Sequence, residues 1–373
     1  MADNKQLSEA EALGLLRDKI DAIDTKIGEL ISDRARCALD VAKVKNANGD
    51  AASGKGPKFY RPEREAQVLR KAMERNQGPL KDEEFARLFR EIMSACLALE
   101  EVIHVAYLGP EGTFTQEAAI KHFGHSADVL PMTAIDEVFR EVESGAAHYG
   151  VVPVENSTGG VVTHTLDSFI ESGVKICGEV VLRIHQNLLV SDATNTKNIT
   201  RIYSHAQSLS QCRKWLDANY PKAERIAISS NSEAAKRIKG EWNSAAIAGE
   251  MAAELYDVHV LNKNIEDQPD NSTRFLIIGS EEVGPSGDDK TSIVVSTKNK
   301  PGALHDLLEP FHKHGVDLTR VETRPSRSGV WNYVFFIDFE GHKDDELSKK
   351  VLADVLERVS ELKVLGSYPR GVL

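Results

Sequence analysis

The sequence predicts a multidomain protein with three architectures in succession: an all-α segment over residues 1–103, a two-lobed α/β segment over 104–281, and a compact α+β segment of βαββαβ order over 290–373. Three observations divide the chain this way. Before residue 104 apolar residues recur at helical spacing; after it short apolar runs alternate with helical patterns. A polar stretch from Glu281 to Lys290, with Gly284, Pro285, Ser286 and Gly287, then sets off the last segment. At 373 residues the chain also exceeds what one core usually fills.

The helical segment opens on a capping box, Ser8 with Glu11. From there Leu13, Leu16, Ile20, Ile23, Ile27, Leu30, Cys37, Val41 and Val44 form a heptad-like seam. The spacing predicts one helix of about 39 residues, roughly 58 Å long at 1.5 Å per residue. A domain of this size cannot bury such a rod, so a partner chain is expected. Asn46 to Lys58, rich in Asn, Gly, Ala and Ser, reads as a connector; Pro62 suits the first position of a second helix ending near Gly78, and Asp82 opens a third to about Glu101.

In the α/β segment apolar runs at 105–108, 150–154, 176–182, 188–190, 201–203, 245–247 and 275–278 read as strands. The last, far from the early ones, predicts that the chain crosses back between two lobes, with a ligand cleft between them. In the third segment strands are expected at 291–297, 316–323, 331–339 and 362–368, with helices at 302–314 and 344–359.

An apolar content of 41% and a charged content of 28% are those of a soluble globular protein. No apolar run approaches the roughly 20 residues that span a bilayer, and Met1 to Lys5 does not begin a leader, so a cytoplasmic protein is expected. Cys37, Cys96, Cys177 and Cys212 are spaced neither as a disulfide framework nor as zinc ligands, and the twelve histidines form no metal pattern. No metal or cofactor is expected. A net charge of −11 argues against a nucleic-acid partner, while arginines set in apolar stripes suggest pockets for small anions.

Arg34 is such a residue, seven positions after Ile27 and seven before Val41 on the seam. A guanidinium there is costly unless paired. Lys45 lies only about 20° around the helix from it, so both can enter one pocket. Arg17 is about 25 Å away along the axis and would reach that pocket only from a partner subunit. Cys96 and Glu100 continue the inward stripe of Phe85, Phe89 and Ile92, and Arg64 and Glu65 add polar groups from the second helix. Spacing alone allows either a helical dimer with internal ion pairs or a pocket for a dianion.

Over residues 7–101 the sequence resembles the all-α chorismate mutases, which form an interlocked helical dimer. The likeness rests on Leu-Arg-Asp-Lys-Ile around Arg17, Asp-Arg-Ala-Arg around Arg34, Val-Ala-Lys-Val-Lys to Lys45, and Pro-Glu-Arg-Glu at 62–65. It implies that Arg17 and Arg34 hold the two carboxylates of chorismate, that Lys45 donates to the ether oxygen and that Glu65 contacts the ring hydroxyl. The sequence departs from the family pattern at two positions. Arg61 replaces a frequent aspartate, and Glu100 replaces a glutamine that donates to the ether oxygen. A glutamate donates only when protonated, so mutase activity is expected to fall at alkaline pH.

Gly-Pro-Glu-Gly-Thr-Phe-Thr from Gly109, Val-Pro-Val-Glu-Asn-Ser from Val152 and Asn-Ser-Thr-Arg-Phe from Asn271 together resemble the prephenate dehydratases over residues 105–280. Clusters at 204–208 and 230–233 repeat the pattern; each could equally be a helix cap. The likeness implies lobes like those of type II periplasmic binding proteins, Thr273 as the hydroxyl that assists departure of the ring hydroxyl, and Thr113, Glu155, Asn156, Ser157, Thr158 and Arg274 as the groups that position prephenate.

Residues 290–373 resemble an ACT domain. Its two motifs, Pro301 with Gly302, Ala303 and Leu304, and Glu322, Thr323, Arg324 and Pro325, imply a phenylalanine site at a domain interface; a purely dimerising module is the alternative. The combined likeness is to the fused chorismate mutase and prephenate dehydratase family. It implies chorismate and prephenate as substrates, phenylalanine as effector and a homodimer or larger assembly. A non-catalytic amino-acid sensor, or a dehydratase with an inactive mutase, are the other readings.

Overall fold

The computed structural model describes residues 8–47, 60–297, 300–325 and 333–372. Most of the expected connector at 46–58, and Trp331 at the start of an expected strand, lie outside the described residues.

Helix α1 (Glu9–Ala47) runs for 39 residues. Its capping box forms as expected: the Glu11 N–H donates to Ser8 Oγ at 3.3 Å and the Ser8 N–H donates to the Glu11 carboxylate at 2.9 Å. Helices α2 (Pro62–Arg75) and α3 (Asp82–Ala98) pair with each other, and α1 packs on α3. In this single chain Ala42 alone of the α1 residues is buried. The seam stays open: Leu16, Ile20 and Leu30 are 56%, 54% and 67% exposed.

The first α/β lobe comprises β1 (His104–Leu108), α4 (Phe114–Phe123), β2 (Asp128–Met132), α5 (Ile135–Ser144), β3 (Tyr149–Asn156), β4 (Gly160–Val161), α6 (Thr163–Glu171) and β5 (Lys175–Arg183). The chain then builds a second lobe from β6 (Asn187–Val190), β7 (Arg201–His205), α7 (Ala206–Gln211), α8 (Arg213–Asn219), β8 (Glu224–Ile228), α9 (Asn231–Arg237), β9 (Ser244–Ala248), α10 (Glu250–Tyr256) and β10 (His259–Asn262). Strand β11 (Ser272–Gly279) returns to the first lobe and inserts antiparallel between β3 and β5, giving the order β2-β1-β3-β11-β5. The second sheet has the order β10-β6-β9-β7-β8. The expected crossing back is therefore present.

The C-terminal domain comprises β12 (Asp289–Thr297), α11 (Ala303–His314), β13 (Leu318–Pro325), β14 (Tyr333–Glu340), α12 (Glu346–Leu356) and β15 (Glu361–Pro369), in sheet order β13-β14-β12-β15. Its sheet shares an apolar core with the first lobe: Val294, Phe336, Leu365 and Tyr368 pack with Val154, Ile176, Leu276 and Ile278. At Gly366 any side chain would collide with the backbone of Ile176, so β15 approaches β5 as closely as only glycine permits. On the other side Tyr60 and Ile103 join Val105, Tyr107 and Phe123 in a second shared core. Among the described residues no helix is long and apolar enough to cross a membrane.

Candidate active sites

Two cavities collect the polar residues singled out above. The first, of about 750 Å³, lies among α1, α2 and α3 and is closed on one side by Phe123 from α4. Arg34 and Lys45 enter from α1, Arg64 and Glu65 from α2 with Arg61 just before it, and Cys96 and Glu100 from α3 and its end. Helical periodicity predicted this convergence for Arg34 and Lys45 on the seam of α1 and for Cys96 and Glu100 along the stripe of the third helix. Arg17 does not share the cavity; it is exposed on the far half of α1.

Arg90, which sequence reasoning passed over, also lines this cavity. It is four residues from both Ala86 and Ser94 on the buried face of α3, a spacing that could have revealed it. Its Nε stands 3.3 Å from Glu65 Oε1, and its Nη1 donates to the Lys121 carbonyl of α4 at 2.7 Å. Burial pushes the Glu65 carboxyl above its ordinary range, with the charge of Arg90 and a hydrogen bond from Tyr60 opposing that rise. The Tyr60 hydroxyl lies 3.1 Å from His122 Nε2. Burial, aided by the charge of Arg90, pushes His122 down to about 3, so the imidazole is neutral. Lys45 Nζ is 3.7 Å from Glu100 Oε2. Five cations (Arg34, Lys45, Arg61, Arg64 and Arg90) and three carboxylates (Glu63, Glu65 and Glu100) line the cavity, an excess of two positive charges. That balance suits a dianion.

The second cavity, of about 470 Å³, is the cleft between the two α/β sheets. Thr113, Asn156 and Thr273 line it from the first lobe; His205, Gln207, Gln211 and Ser230 face them from the second. Three of these residues are caps as well. Thr113, His205 and Ser230 precede α4, α7 and α9, and their side chains accept from Gln116 N, Gln207 N and Glu233 N. The cap reading and the site reading therefore hold together, because a cap residue sits where helix N–H groups face the cleft. No Lys, Arg, Asp or Glu lines this cavity among the described residues.

Asn156 organises the cleft. Its Oδ1 accepts from Gly159 N at 2.7 Å, Thr158 N at 3.1 Å and Thr158 Oγ1 at 2.8 Å. Two backbone N–H groups can meet only the oxygen end of the amide, so the nitrogen end is fixed towards Thr273. Asn156 Nδ2 donates to Thr273 Oγ1 at 2.8 Å. Thr273 is thereby an acceptor from Asn156, and its own hydroxyl proton is available to the cleft. Gln211, not predicted, donates to Thr158 Oγ1 at 2.7 Å and so ties the second lobe to the first. Helix α4, ten residues long, borders both cavities: Thr113 precedes its first residue and Phe123 is its last.

Several expected residues are placed elsewhere. Glu155 and Arg274 were expected to position prephenate, but neither lines the cleft. Thr273 pairs with Asn156 and Arg274 with Glu155 across β11 and β3, and successive strand residues point to opposite faces. With Thr273 and Asn156 in the cleft, Arg274 and Glu155 must face away. Arg274 meets Glu179, Asp338 and Tyr368 at 2.8, 2.6 and 3.0 Å. Glu155 Oε2 meets Arg320 Nε at 3.2 Å. Ser157 stands outside the cleft because its hydroxyl accepts from Ser272 N at 3.0 Å, stapling the loop to β11. Thr158 lines a neighbouring cavity of about 360 Å³ with Gln211 and Lys214.

In the C-terminal domain Gly302, at φ 81°, precedes α11, whose first turn holds Ala303 and Leu304. Glu322, Thr323 and Pro325 lie along β13, the sheet edge. Arg324, on the same strand, is held by both oxygens of Asp167 on α6 at 3.0 Å. Among the described residues no group of three or more His, Cys, Asp or Glu side chains is placed to hold a metal ion.

Three family models match the chain in order: chorismate mutase type II over residues 16–101, prephenate dehydratase over 105–283 and the ACT domain over 291–357. A bifunctional chorismate mutase/prephenate dehydratase of Pseudomonas aeruginosa is 65% identical over 373 residues, covering 100% of both chains. One of Neisseria gonorrhoeae is 48% identical, covering 96% of this chain and 97% of its own. The crystal structure of a prephenate dehydratase of Arthrobacter aurescens in complex with L-Phe superposes with a TM-score of 0.67 at 32% identity, covering 72% of this chain and 90% of that one. The chain belongs to the bifunctional chorismate mutase/prephenate dehydratase family, with a C-terminal ACT domain.

Proposed function

We propose that the chain carries out two consecutive reactions, chorismate to prephenate among α1, α2 and α3, and prephenate to phenylpyruvate between the two α/β sheets. The observation that carries this reading is the contrast between the two cavities: one holds an excess of two positive charges and the other no charged lysine, arginine or carboxylate among the described residues.

The mutase step is a pericyclic rearrangement in which the ether C–O bond breaks as a C–C bond forms. It needs no nucleophile; the site has to hold the chair-like conformer and stabilise negative charge growing on the ether oxygen. Arg34 and an Arg17 supplied by a partner subunit hold the two carboxylates. Lys45 donates to the ether oxygen, and Glu65, steadied by Arg90, accepts from the ring hydroxyl. The long exposed seam of α1 supports an interlocked dimer.

In the dehydratase step the bond to the ring carboxylate breaks, carbon dioxide leaves, the electron pair completes the aromatic ring, and the C–O bond to the ring hydroxyl breaks, the departing oxygen becoming water by taking up one proton that solvent supplies. Thr273 donates to that departing oxygen. A cation on the ring carboxylate would stabilise the substrate more than neutral carbon dioxide and so raise the barrier. A cleft lined by no lysine or arginine among the described residues avoids this, and hydroxyls, amides and the start of α4 orient the substrate. The crossing chain and central cleft support the reading of periplasmic-binding-protein-like lobes. Phenylalanine acts as effector at the ACT domain. Supplying chorismate alone to the wild-type chain tests the reading: prephenate followed by phenylpyruvate is expected, and neither product would overturn it.

A further inference from the structure

Behind the two catalytic strands lies a row of charges, three of them buried, that neither reaction uses. Lys290 Nζ meets Glu179 Oε2 at 2.9 Å, and Glu179 Oε2 meets Arg274 Nε at 2.8 Å. Arg274 Nη1 meets Asp338 Oδ2 at 2.6 Å; Asp338 pairs in register with Arg320, and Arg320 Nε meets Glu155 Oε2 at 3.2 Å. The signs alternate along all six residues. Three of them (Glu179, Arg274 and Glu155) belong to β5, β11 and β3 of the dehydratase sheet; Lys290, Asp338 and Arg320 belong to β12, β14 and β13 of the ACT sheet.

We propose that this six-charge ladder positions Thr273 and Asn156 for dehydration and is the route by which a ligand on the ACT domain changes the cleft. Arg274 and Glu155 are the residues adjoining Thr273 and Asn156 in sequence, and the two pairs face each other across β11 and β3. A shift of the ACT sheet therefore pulls on the backbone of both cleft residues at once. The ladder is set in the shared apolar core, with Lys290, Glu179 and Asp338 at 9%, 7% and 4% exposure, so screening by water is weak. Tyr368 and Ser292 complete its hydrogen bonding: the Tyr368 hydroxyl is 3.0 Å from Arg274 Nη2, and Ser292 Oγ donates to Asp338 at 2.6 Å. The same strand β13 that carries Arg320 carries the motif at 322–325, and its Arg324 grips α6 of the dehydratase domain. Part of an effector motif is thus already fastened to the catalytic domain. Arg274 and Glu155 act through Thr273 and Asn156, and are positioning residues.

The transmission part of the proposal rests on phenylalanine acting at the ACT domain; the positioning part does not. Asp338→Asn in the full chain keeps the side-chain shape and removes one charge from a residue that does not line the cleft. Dehydratase kcat is expected to fall about 10- to 100-fold with KM nearly unchanged, because misplacing a catalytic group costs turnover rather than binding. The mutase rate of the same chain, unchanged, reports that the protein is folded. Glu155 has a side chain 43% exposed and gives a milder variant. Glu155→Arg and Arg320→Glu should each lower kcat, and the exchange of both should recover most of it and restore the response to L-phenylalanine. Wild-type kcat in Asp338→Asn, or no recovery in the exchange, would overturn the positioning role and leave an interface that only holds the domains together. A rise in KM at constant kcat would overturn it too, by assigning these side chains to the substrate. Altered kcat in variants that keep the wild-type response to L-phenylalanine would overturn the transmission part. A wild-type chain indifferent to L-phenylalanine would instead refute the effector assignment, with the kcat results still deciding positioning.

Discussion

Arg17 and Arg34 lie about 25 Å apart along α1, three times the length of a molecule of about 8 Å, so one chain cannot offer both to the same substrate. Removing either by substitution with alanine leaves a substrate carboxylate without its guanidinium. Loss of one partner from such a pair costs about 3–4 kcal/mol, or roughly a 10²- to 10³-fold fall in mutase kcat/KM. In a twofold symmetric dimer each site takes Arg17 from one chain and Arg34 from the other. Mixing equal amounts of Arg17→Ala and Arg34→Ala chains and letting subunits exchange makes about half the dimers mixed, and each mixed dimer has one intact site of two. The mixture should therefore recover about a quarter of wild-type mutase activity from two nearly inactive proteins. The assay is chorismate consumption before and after exchange, with dehydratase activity as the control that stays constant. No recovery after verified exchange would refute the reasoning, because it would mean that one chain supplies both arginines and that the exposed seam is not the interface that completes the site.

Arg90→Met should depress mutase activity and move the acid limb of its pH–rate profile upward, because Arg90 is the charge that opposes the rise of Glu65 caused by burial; an unmoved limb in a folded variant would remove Glu65 from the reaction. Stability should fall in acid in two windows. His122, ordinarily near 6.5, stays neutral in the folded chain down to about 3, so the unfolded chain takes up the proton first and stability declines as pH falls through that interval. Burial alone would raise Glu179 and Asp338, but Arg274 with Lys290, and Arg274 with Ser292 and Arg320, outweigh it and lower both. Their contribution is complete above the ordinary values of 4.5 and 3.8 and is lost as pH falls through the lowered ones. Thermal unfolding against pH should show Asp338→Asn with the shallower decline in the more acid window, and identical slopes would contradict this.

The parts of the fold legible in the sequence are those governed by one strong periodicity. The seam of α1 and the stripe of the third helix placed Arg34, Lys45, Cys96 and Glu100 in one cavity, and the fully buried strands such as β6 and β9 stood out as continuous apolar runs. Strands β2, β8 and β10 were not read, because they are part exposed and carry polar residues that weaken the signal. The error at Arg274 and Glu155 has a different cause. Motif likeness treated Thr273-Arg274 and Glu155-Asn156 as units, whereas the period of two in a strand puts their side chains on opposite faces. Arg90 was missed although its four-residue spacing from Ala86 and Ser94 marks the buried face of α3; its partner, Glu65, lies on another helix. The contacts of Arg320 and Arg324 with another domain have no local signature at all.

The division of labour between the two cavities is tested most directly by chorismate given alone to a Thr273→Val chain, with chorismate, prephenate and phenylpyruvate measured in one time course. Valine keeps the shape of the side chain and removes the hydroxyl that accepts from Asn156. The account predicts chorismate loss at the wild-type rate, accumulation of prephenate, and phenylpyruvate formation slowed by about 10²- to 10³-fold, the cost of one hydrogen bond to a developing charge. Phenylpyruvate formed at the wild-type rate, or chorismate consumption that stops with it, would contradict the account.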